Sequence, residues 1–129
     1  MVIIRATIVL LCGIGLYVSA FMAAKARRAR LGQLAEPSVV ESSRARAVGG
    51  VPNSLLGLGY YAGLAVAVPF LSYPLVWWLA AVAAVAAGAL SAYLAYSLLF
   101  VTRMPCPYCW TGHAVNWGLV ALLVLVRPG

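Results

Sequence analysis

Charged residues are scarce in this sequence, and acidic residues are almost absent. Only 9% of the 129 residues are charged, and just two residues are acidic. A soluble domain normally has about 25% charged residues, with which it covers its surface. Since 65% of the residues are hydrophobic, the composition excludes an ordinary soluble globular protein.

In place of charge, the sequence has four long apolar stretches, at about residues 6–24, 54–71, 75–101 and 107–126. A helix of about 20 apolar residues crosses the hydrocarbon core of a bilayer. Backbone polar groups in lipid must be satisfied within the segment, and residues 80–89 do not alternate as a barrel strand does. We therefore predict an all-α integral membrane protein, a single domain over residues 1–129 with four transmembrane helices in an up-down bundle.

Cysteine is also rare, yet two of the three cysteines form a C-x-x-C motif at the predicted start of the fourth span. The first turn of a helix favours a thiolate, since its free N–H groups and the helix dipole attract negative charge. After Cys106 and Cys109, the spacing of His113 and Asn116 places them on the same helix face as Cys109. Polar groups within a span are costly and usually functional.

Three interpretations of the cysteine pair remain open from the residues alone. A redox disulfide is favoured by the prolines on both sides of Cys106 at a membrane boundary. A metal site has only Cys106, Cys109 and His113 as ligands, and a fourth ligand is lacking nearby. A buried pair without a role is the third interpretation. A c-type haem is excluded, because Trp110 stands where histidine would have to follow the second cysteine.

A second polar segment leads into the second span, on the same side of the membrane as Cys106. Asn53, Gly57, Tyr60 or Tyr61, and Leu64 follow one side of this helix. An amide, space left by glycine, and tyrosines below it would suit a flat ring that bears carbonyl groups. Helix capping by Asn53 and helix packing at the glycines explain the same residues equally well.

Taken together, the two segments resemble the vitamin K epoxide reductase family. That family pairs an Asn-Ser-x-x-Gly-x-x-x-Tyr start of its second span, here Asn53 to Tyr61, with a C-x-x-C at the head of its fourth. Thr111, Ala114 and Asn116 also match, and the similarity extends from Ser38 over most of the remaining chain.

The resemblance implies a four-helix bundle around a quinone, menaquinone or ubiquinone, with no metal. Cys109 would be the cysteine nearest the quinone, and Cys106 would exchange with incoming thiols. Asn53 would hydrogen-bond one quinone carbonyl, while His113 falls where the family often has a tyrosine that donates to the other. The remaining implied roles are quinone contact for Gly57, Tyr60 and Tyr61, and support for Ser43 and Asn116.

One departure from the family concerns the first loop, residues 25–53, which contains no cysteine. The family normally has a second cysteine pair there, which relays electrons to the C-x-x-C. The resemblance therefore identifies a bacterial-type homologue without the internal relay. Electrons would come from a thioredoxin-like protein in trans, and the expected activity is thiol:quinone oxidoreduction that supports disulfide formation.

The alternative is a non-catalytic or dedicated-partner maturation subunit with the same fold, which the missing loop cysteines favour.

Either protein would reside in a plasma membrane, and we expect lipid and no nucleic acid as a partner of the basic residues. The two indications of orientation conflict. Seven basic residues lie on the C-x-x-C side and two on the other, which predicts a cytoplasmic C-x-x-C, whereas oxidation of exported proteins requires the outer face.

Overall fold

The computed structural model describes residues 2–32, 53–103 and 106–128, and these residues form helices without any strand. The helices are α1 (Val2–Arg30), α2 (Asn53–Ala67), α3 (Pro74–Ser97) and α4 (Pro107–Leu125). A 3₁₀ turn (Val68–Phe70) extends α2, and a π-helical turn (Leu98–Thr102) extends α3. All four helices, with these extensions, are long and apolar enough to cross a membrane. The predicted all-α fold with four membrane-spanning helices is confirmed.

Proline and glycine mark where the helices begin and end. Pro74 and Pro107 stand in the first turns of α3 and α4, where a missing N–H costs nothing. At its other end, α1 continues as a helix beyond the apolar stretch, through Arg30, and Gly32 then adopts a left-handed backbone with φ of 69°. Glycine adopts this conformation without a Cβ clash.

The order of packing in the bundle differs from the order along the chain. α1 packs along both α2 and α4, while α3 packs mainly on α4. Although a short turn joins α2 to α3, these two helices contact each other at few positions. The fully buried apolar core includes Ile8, Leu71, Leu119 and Leu123, while many large apolar side chains point outward, as expected of a surface that faces lipid.

Two sets of contacts define the ends of the bundle. At the Trp77 end, the indole of Trp77 donates to the carbonyl oxygen of Leu123 over 2.9 Å, and Arg5 donates to the Ser72 hydroxyl over 2.7 Å. At the opposite end, which we call the Cys106 end, the ring of Phe21 on α1 stacks on Tyr108 of α4 with centroids 4.1 Å apart. The C-terminal end of α1 and the N-terminal ends of α2 and α4 therefore share the Cys106 end.

Close approach of α1 and α2 depends on two glycines. A Cβ atom added at Gly15 would lie 2.6 Å from ring atoms of Tyr61, and one added at Gly57 would lie 2.5 Å from the Ser19 hydroxyl. The Tyr61 ring thus occupies the space that a side chain at position 15 would need. Small residues commonly permit such contact between transmembrane helices.

We predict that Gly15→Ala lowers the stability of the bundle, whereas Gly13→Ala does not. The added methyl group at position 15 must displace the buried Tyr61 ring, and overpacking of this kind costs roughly 1–3 kcal/mol. Gly13 is the matched control, because a Cβ there meets nothing within 4 Å. Thermal unfolding of the purified protein in detergent measures the difference, and equal melting temperatures for the two variants would contradict the packing described here.

Candidate redox site at the head of the fourth helix

A disulfide joins Cys106 and Cys109 at the N-terminal end of α4, with a Cα–Cα distance of 5.3 Å. Cys106 is the N-cap residue, and the backbone N–H of Cys109 donates to its sulfur over 3.2 Å. When the disulfide is reduced, the same N–H and the helix dipole would stabilise a Cys106 thiolate. The local geometry is therefore compatible with a redox-active C-x-x-C pair.

The three cysteines differ in exposure. Cys106 is 6% exposed, whereas Cys109 is half-buried. Cys12 is a free thiol in the middle of α1, fully buried in the apolar core. By resemblance, Cys106 exchanges with incoming thiols. It is nevertheless less accessible than Cys109 in this oxidised state.

An aromatic stack fixes the C-x-x-C turn against α1. Tyr108, which lies between the two cysteines, stacks on Phe21 at an interplanar angle of 18°. Since the first helix supplies Phe21, the disulfide turn is attached to α1 as well as to its own helix.

His113 lies one turn below Cys109, roughly 6 Å further along the helix axis. Its ring is 6% exposed and is flanked by the rings of Trp110 and Trp117, with centroids at 5.9 and 6.2 Å. The Nε2 atom is buried and has no hydrogen-bond partner in the structure. Buried polar atoms are almost always paired, so this unpaired ring nitrogen makes His113 a candidate ligand-binding residue.

The two adjacent tyrosines of α2 have different surroundings. The Tyr61 hydroxyl donates to the Oδ1 atom of Asn116 over 2.5 Å, and the Asn116 amide in turn donates to the Ser91 hydroxyl over 2.6 Å. This chain of hydrogen bonds links α2, α4 and α3. The Tyr60 hydroxyl, in contrast, is buried without a hydrogen-bond partner.

The structure thus separates two tyrosines that the sequence could not distinguish. Tyr61 and Asn116 are paired with each other, while Tyr60 and His113 each have an unused polar atom. Counted in helical rise from the Cys106 end, Tyr60 and His113 lie at similar depths, roughly 10 Å inside their helices.

Two of the other predicted site residues lie in the first turns of α2. Asn53 is the first residue of α2 and is half-buried at the Cys106 end. Gly57 lies against Ser19 of α1, where it serves close helix packing. Ser43 lies outside the described residues, so its predicted role stays a prediction.

Two contributors to the site were missed by sequence reasoning. Ser91 lies in an alanine-rich stretch of α3 that the sequence alone suggests is packing surface, although a hydroxyl in a span needs a partner. Phe21 had no signal in the sequence, because its contact with Tyr108 depends on how α1 and α4 pack. Among the described residues, no cluster of three or more histidine, cysteine or acidic side chains could hold a metal ion.

The fold and the site together define a four-helix membrane protein with a disulfide-forming C-x-x-C at one end of the bundle. The sequence matches the Vitamin K epoxide reductase family over residues 6–124, which is nearly the whole chain, and the protein belongs to that family. The resemblance seen in its motifs is confirmed. Members of this family are in general membrane redox enzymes linked to a quinone. A search of curated proteins gave no match.

We predict that Asn116→Leu destabilises the bundle, and that this loss of stability is not additive with that of Tyr61→Phe. The leucine variant leaves the Tyr61 and Ser91 hydroxyls without their Asn116 partner, and hydrogen bonds between transmembrane helices contribute on the order of 1 kcal/mol. In a double-mutant cycle, Tyr61→Phe should cost less in the Asn116→Leu background than in the wild type. Tyr60→Phe is the control, and additive effects of the Tyr61 and Asn116 changes on thermal unfolding would contradict the network.

Proposed function

We propose that the protein is a membrane thiol:quinone oxidoreductase, which passes electrons from a partner dithiol through Cys106 and Cys109 to a quinone. The observation that carries this proposal is the position of the disulfide one helical turn above His113, whose buried Nε2 atom has no partner. Family membership supports the redox class of the reaction.

The first half of the reaction is thiol–disulfide exchange. A thiolate of the partner attacks the sulfur of Cys106, a mixed disulfide forms, and the Cys106–Cys109 bond breaks with Cys109 leaving as a thiolate. The second thiolate of the partner then attacks the mixed disulfide and releases Cys106. The partner leaves as a disulfide, and its two electrons remain on the reduced cysteine pair.

The burial of Cys106 sets a condition on this exchange. With 6% of the residue exposed, access of a thiol to Cys106 is limited in the oxidised state, so exchange requires a movement of the C-x-x-C turn. Once the disulfide opens, the Cys109 N–H that now reaches the Cys106 sulfur is in place to stabilise a thiolate there. Cys109 lies on the side of the helix that leads to His113, so it is the cysteine that passes electrons to the quinone.

Two buried polar atoms, on α2 and α4, support the assignment of a quinone as the acceptor. A quinone presents two carbonyl oxygens on a flat apolar ring, and these oxygens accept hydrogen bonds. The Tyr60 hydroxyl and a protonated His113 Nε2 are buried donors without an acceptor in the structure. Asn53 would contact the same ligand at the rim of the site, and Gly57 and Tyr61 would line it.

In the second half of the reaction, the protein's residues hold the acceptor and complete the disulfide. The quinone, when bound, takes up two electrons and two protons and becomes a hydroquinone. Tyr60 and His113 orient it and stabilise the negative charge that develops on its oxygens, as preorganised donors do. The Cys109 sulfur would pass an electron pair to the bound quinone as the Cys106 thiolate bonds to that sulfur, so the S–S bond re-forms, and the two electrons that the cysteine pair loses are those that the quinone gains.

The identities of the quinone, the thiol donor and the membrane are proposed from the family resemblance. The quinone is menaquinone or ubiquinone, and the thiol donor is a thioredoxin-like protein in trans, because residues 25–53 contain no cysteine that could act as a relay. We place the protein in a bacterial plasma membrane. With the cysteine pair on the outer face, the reaction would form disulfide bonds in exported proteins.

The missing loop cysteines also favour a second candidate, a maturation or assembly subunit devoted to one partner. The two functions differ in whether a quinone is bound. Extraction of quinone from the purified protein, together with alkylation of its thiols before and after reduction, separates them. Bound quinone with a reducible Cys106–Cys109 bond supports the oxidoreductase, and the absence of both supports the subunit.

We predict that Cys109→Ser abolishes quinone reduction by a dithiol. Cys106→Ser should block turnover too, yet it leaves a Cys109 thiol that can still interact with quinone, which absorbance spectra of the protein with added menaquinone detect. Cys12→Ala is the matched control and should retain activity, since Cys12 lies in the apolar core of α1. Normal turnover of the Cys109→Ser protein would contradict the mechanism.

We predict that His113→Phe impairs the reaction at the quinone and leaves thiol exchange intact. Phenylalanine fills the space but cannot donate, so KM for quinone should rise or kcat should fall, by roughly 10-fold for one lost hydrogen bond. Reduction of the disulfide by dithiothreitol, followed by alkylation, should be unchanged. His113→Tyr restores a donor and should recover part of the activity. A His113→Phe protein with wild-type quinone kinetics would exclude His113 from the site.

A further inference from the structure

Positive charge is concentrated at the Cys106 end of the bundle. The net charge of the chain is +7, and five basic residues belong to this end. They are Lys25, Arg27, Arg28 and Arg30 of α1, and Arg103 ahead of Cys106. No aspartate or glutamate occurs among the residues that the structure describes. The sequence of residues 33–52 contributes two acids and two arginines, and therefore no net charge.

These charges lie a short axial distance from the disulfide turn. The Phe21–Tyr108 stack fixes the height of α1 beside the C-x-x-C turn. From Phe21, the helical rise places Lys25 roughly 6 Å and Arg28 roughly 10 Å further toward the membrane surface. Arg103 precedes Cys106 by three residues, a reach of at most about 11 Å. Charges within a Debye length, about 8–10 Å at moderate salt, are felt across water.

The helical rise carries the last basic residue of α1 past the zone of lipid headgroups. α1 remains helical through Arg30, which lies roughly 9 Å past Ala24, the last residue of the charge-free stretch. The headgroup region of one leaflet is only about 5–8 Å thick. The exposed side chain of Arg30 therefore reaches the water through which a soluble partner approaches, and that of Arg28 lies near the outer edge of the headgroup zone.

We propose that this basic surface, defined by Lys25, Arg27, Arg28, Arg30 and Arg103, selects a thiol partner whose reactive cysteines are surrounded by acidic groups. The inference rests on the proposed function, because it concerns the partner that reduces the Cys106–Cys109 disulfide. Charge complementarity raises the rate of encounter and disfavours partners of the same sign. In this chain, which has no cysteine in residues 25–53, such attraction brings the partner to the disulfide without an internal relay.

A pair of small dithiols tests the inference directly. Dihydrolipoate and dihydrolipoamide have the same two thiols, but only dihydrolipoate has a carboxylate. The rate of reduction of the Cys106–Cys109 disulfide by each reagent is measured by alkylation of the protein in neutral detergent. The quantity compared is the ratio of the dihydrolipoate rate to the dihydrolipoamide rate. We expect this ratio to be lower in 0.5 M NaCl than at low salt, by roughly threefold or more.

Charge variants assign the effect to the basic surface. The combined Arg27→Gln, Arg28→Gln and Arg30→Gln protein should show the lowered ratio already at low salt. Arg127→Gln is the matched control, since Arg127 lies at the Trp77 end, over the Trp77 ring, and its loss should leave the ratio unchanged. Comparison of ratios between proteins cancels the intrinsic reactivity and detergent partitioning of the two reagents. The salt series on the wild type gives an answer even if the triple variant does not fold.

Three results would overturn the inference, and they have different meanings. A ratio that depends on neither salt nor the three arginines contradicts the acidic partner alone. A salt-dependent ratio in detergent that disappears in bilayers containing phosphatidylglycerol shows that lipid headgroups, and not a partner, occupy the basic surface. If neither dithiol reduces the disulfide of the wild type, the proposed function fails, and the inference fails with it.

Discussion

The absence of water from the bilayer core is the constraint on which this structure depends. Helices satisfy their own backbone groups there, and any polar side chain within a span has to find a partner in the protein or a ligand. The Tyr61–Asn116–Ser91 chain meets that requirement internally and links three helices. Tyr60 and His113 do not meet it. In this medium, a polar atom without a partner is therefore better evidence for a binding site than it would be in a soluble protein.

The same constraint gives the two ends of α4 different roles. Toward the Trp77 end, its partners are structural, as in the bond from Trp77 to the Leu123 carbonyl. Toward the Cys106 end, the helix combines a disulfide, free backbone N–H groups and an unpaired imidazole within two turns. In the proposed function, one helix therefore holds the cysteine pair at the membrane surface and the proposed quinone-binding residue His113 within two turns of each other, so the path for electrons between them is short.

Much of this was predictable from the sequence, since the four spans follow from apolar length alone, and the C-x-x-C with His113 and Asn116 follows from helical spacing. What could not be predicted depends on how helices face each other. Neighbouring residues on a helix differ by about 100° in direction, so only the packing of α2 shows that Tyr61 meets Asn116 while Tyr60 stays unpaired. Ser91 looked like one more small residue for the same reason.

The packing order of the bundle has a consequence for its biogenesis. α3 has its main contacts with α4, which leaves the ribosome after it, and few with α2, which precedes it. Until α4 inserts, the Ser91 hydroxyl and the Gly88 carbonyl, which accepts from Trp117, have no partner on α4. A nascent chain halted after the third helix would therefore expose this face to lipid, and only its few contacts with α2 would hold α3 in the bundle.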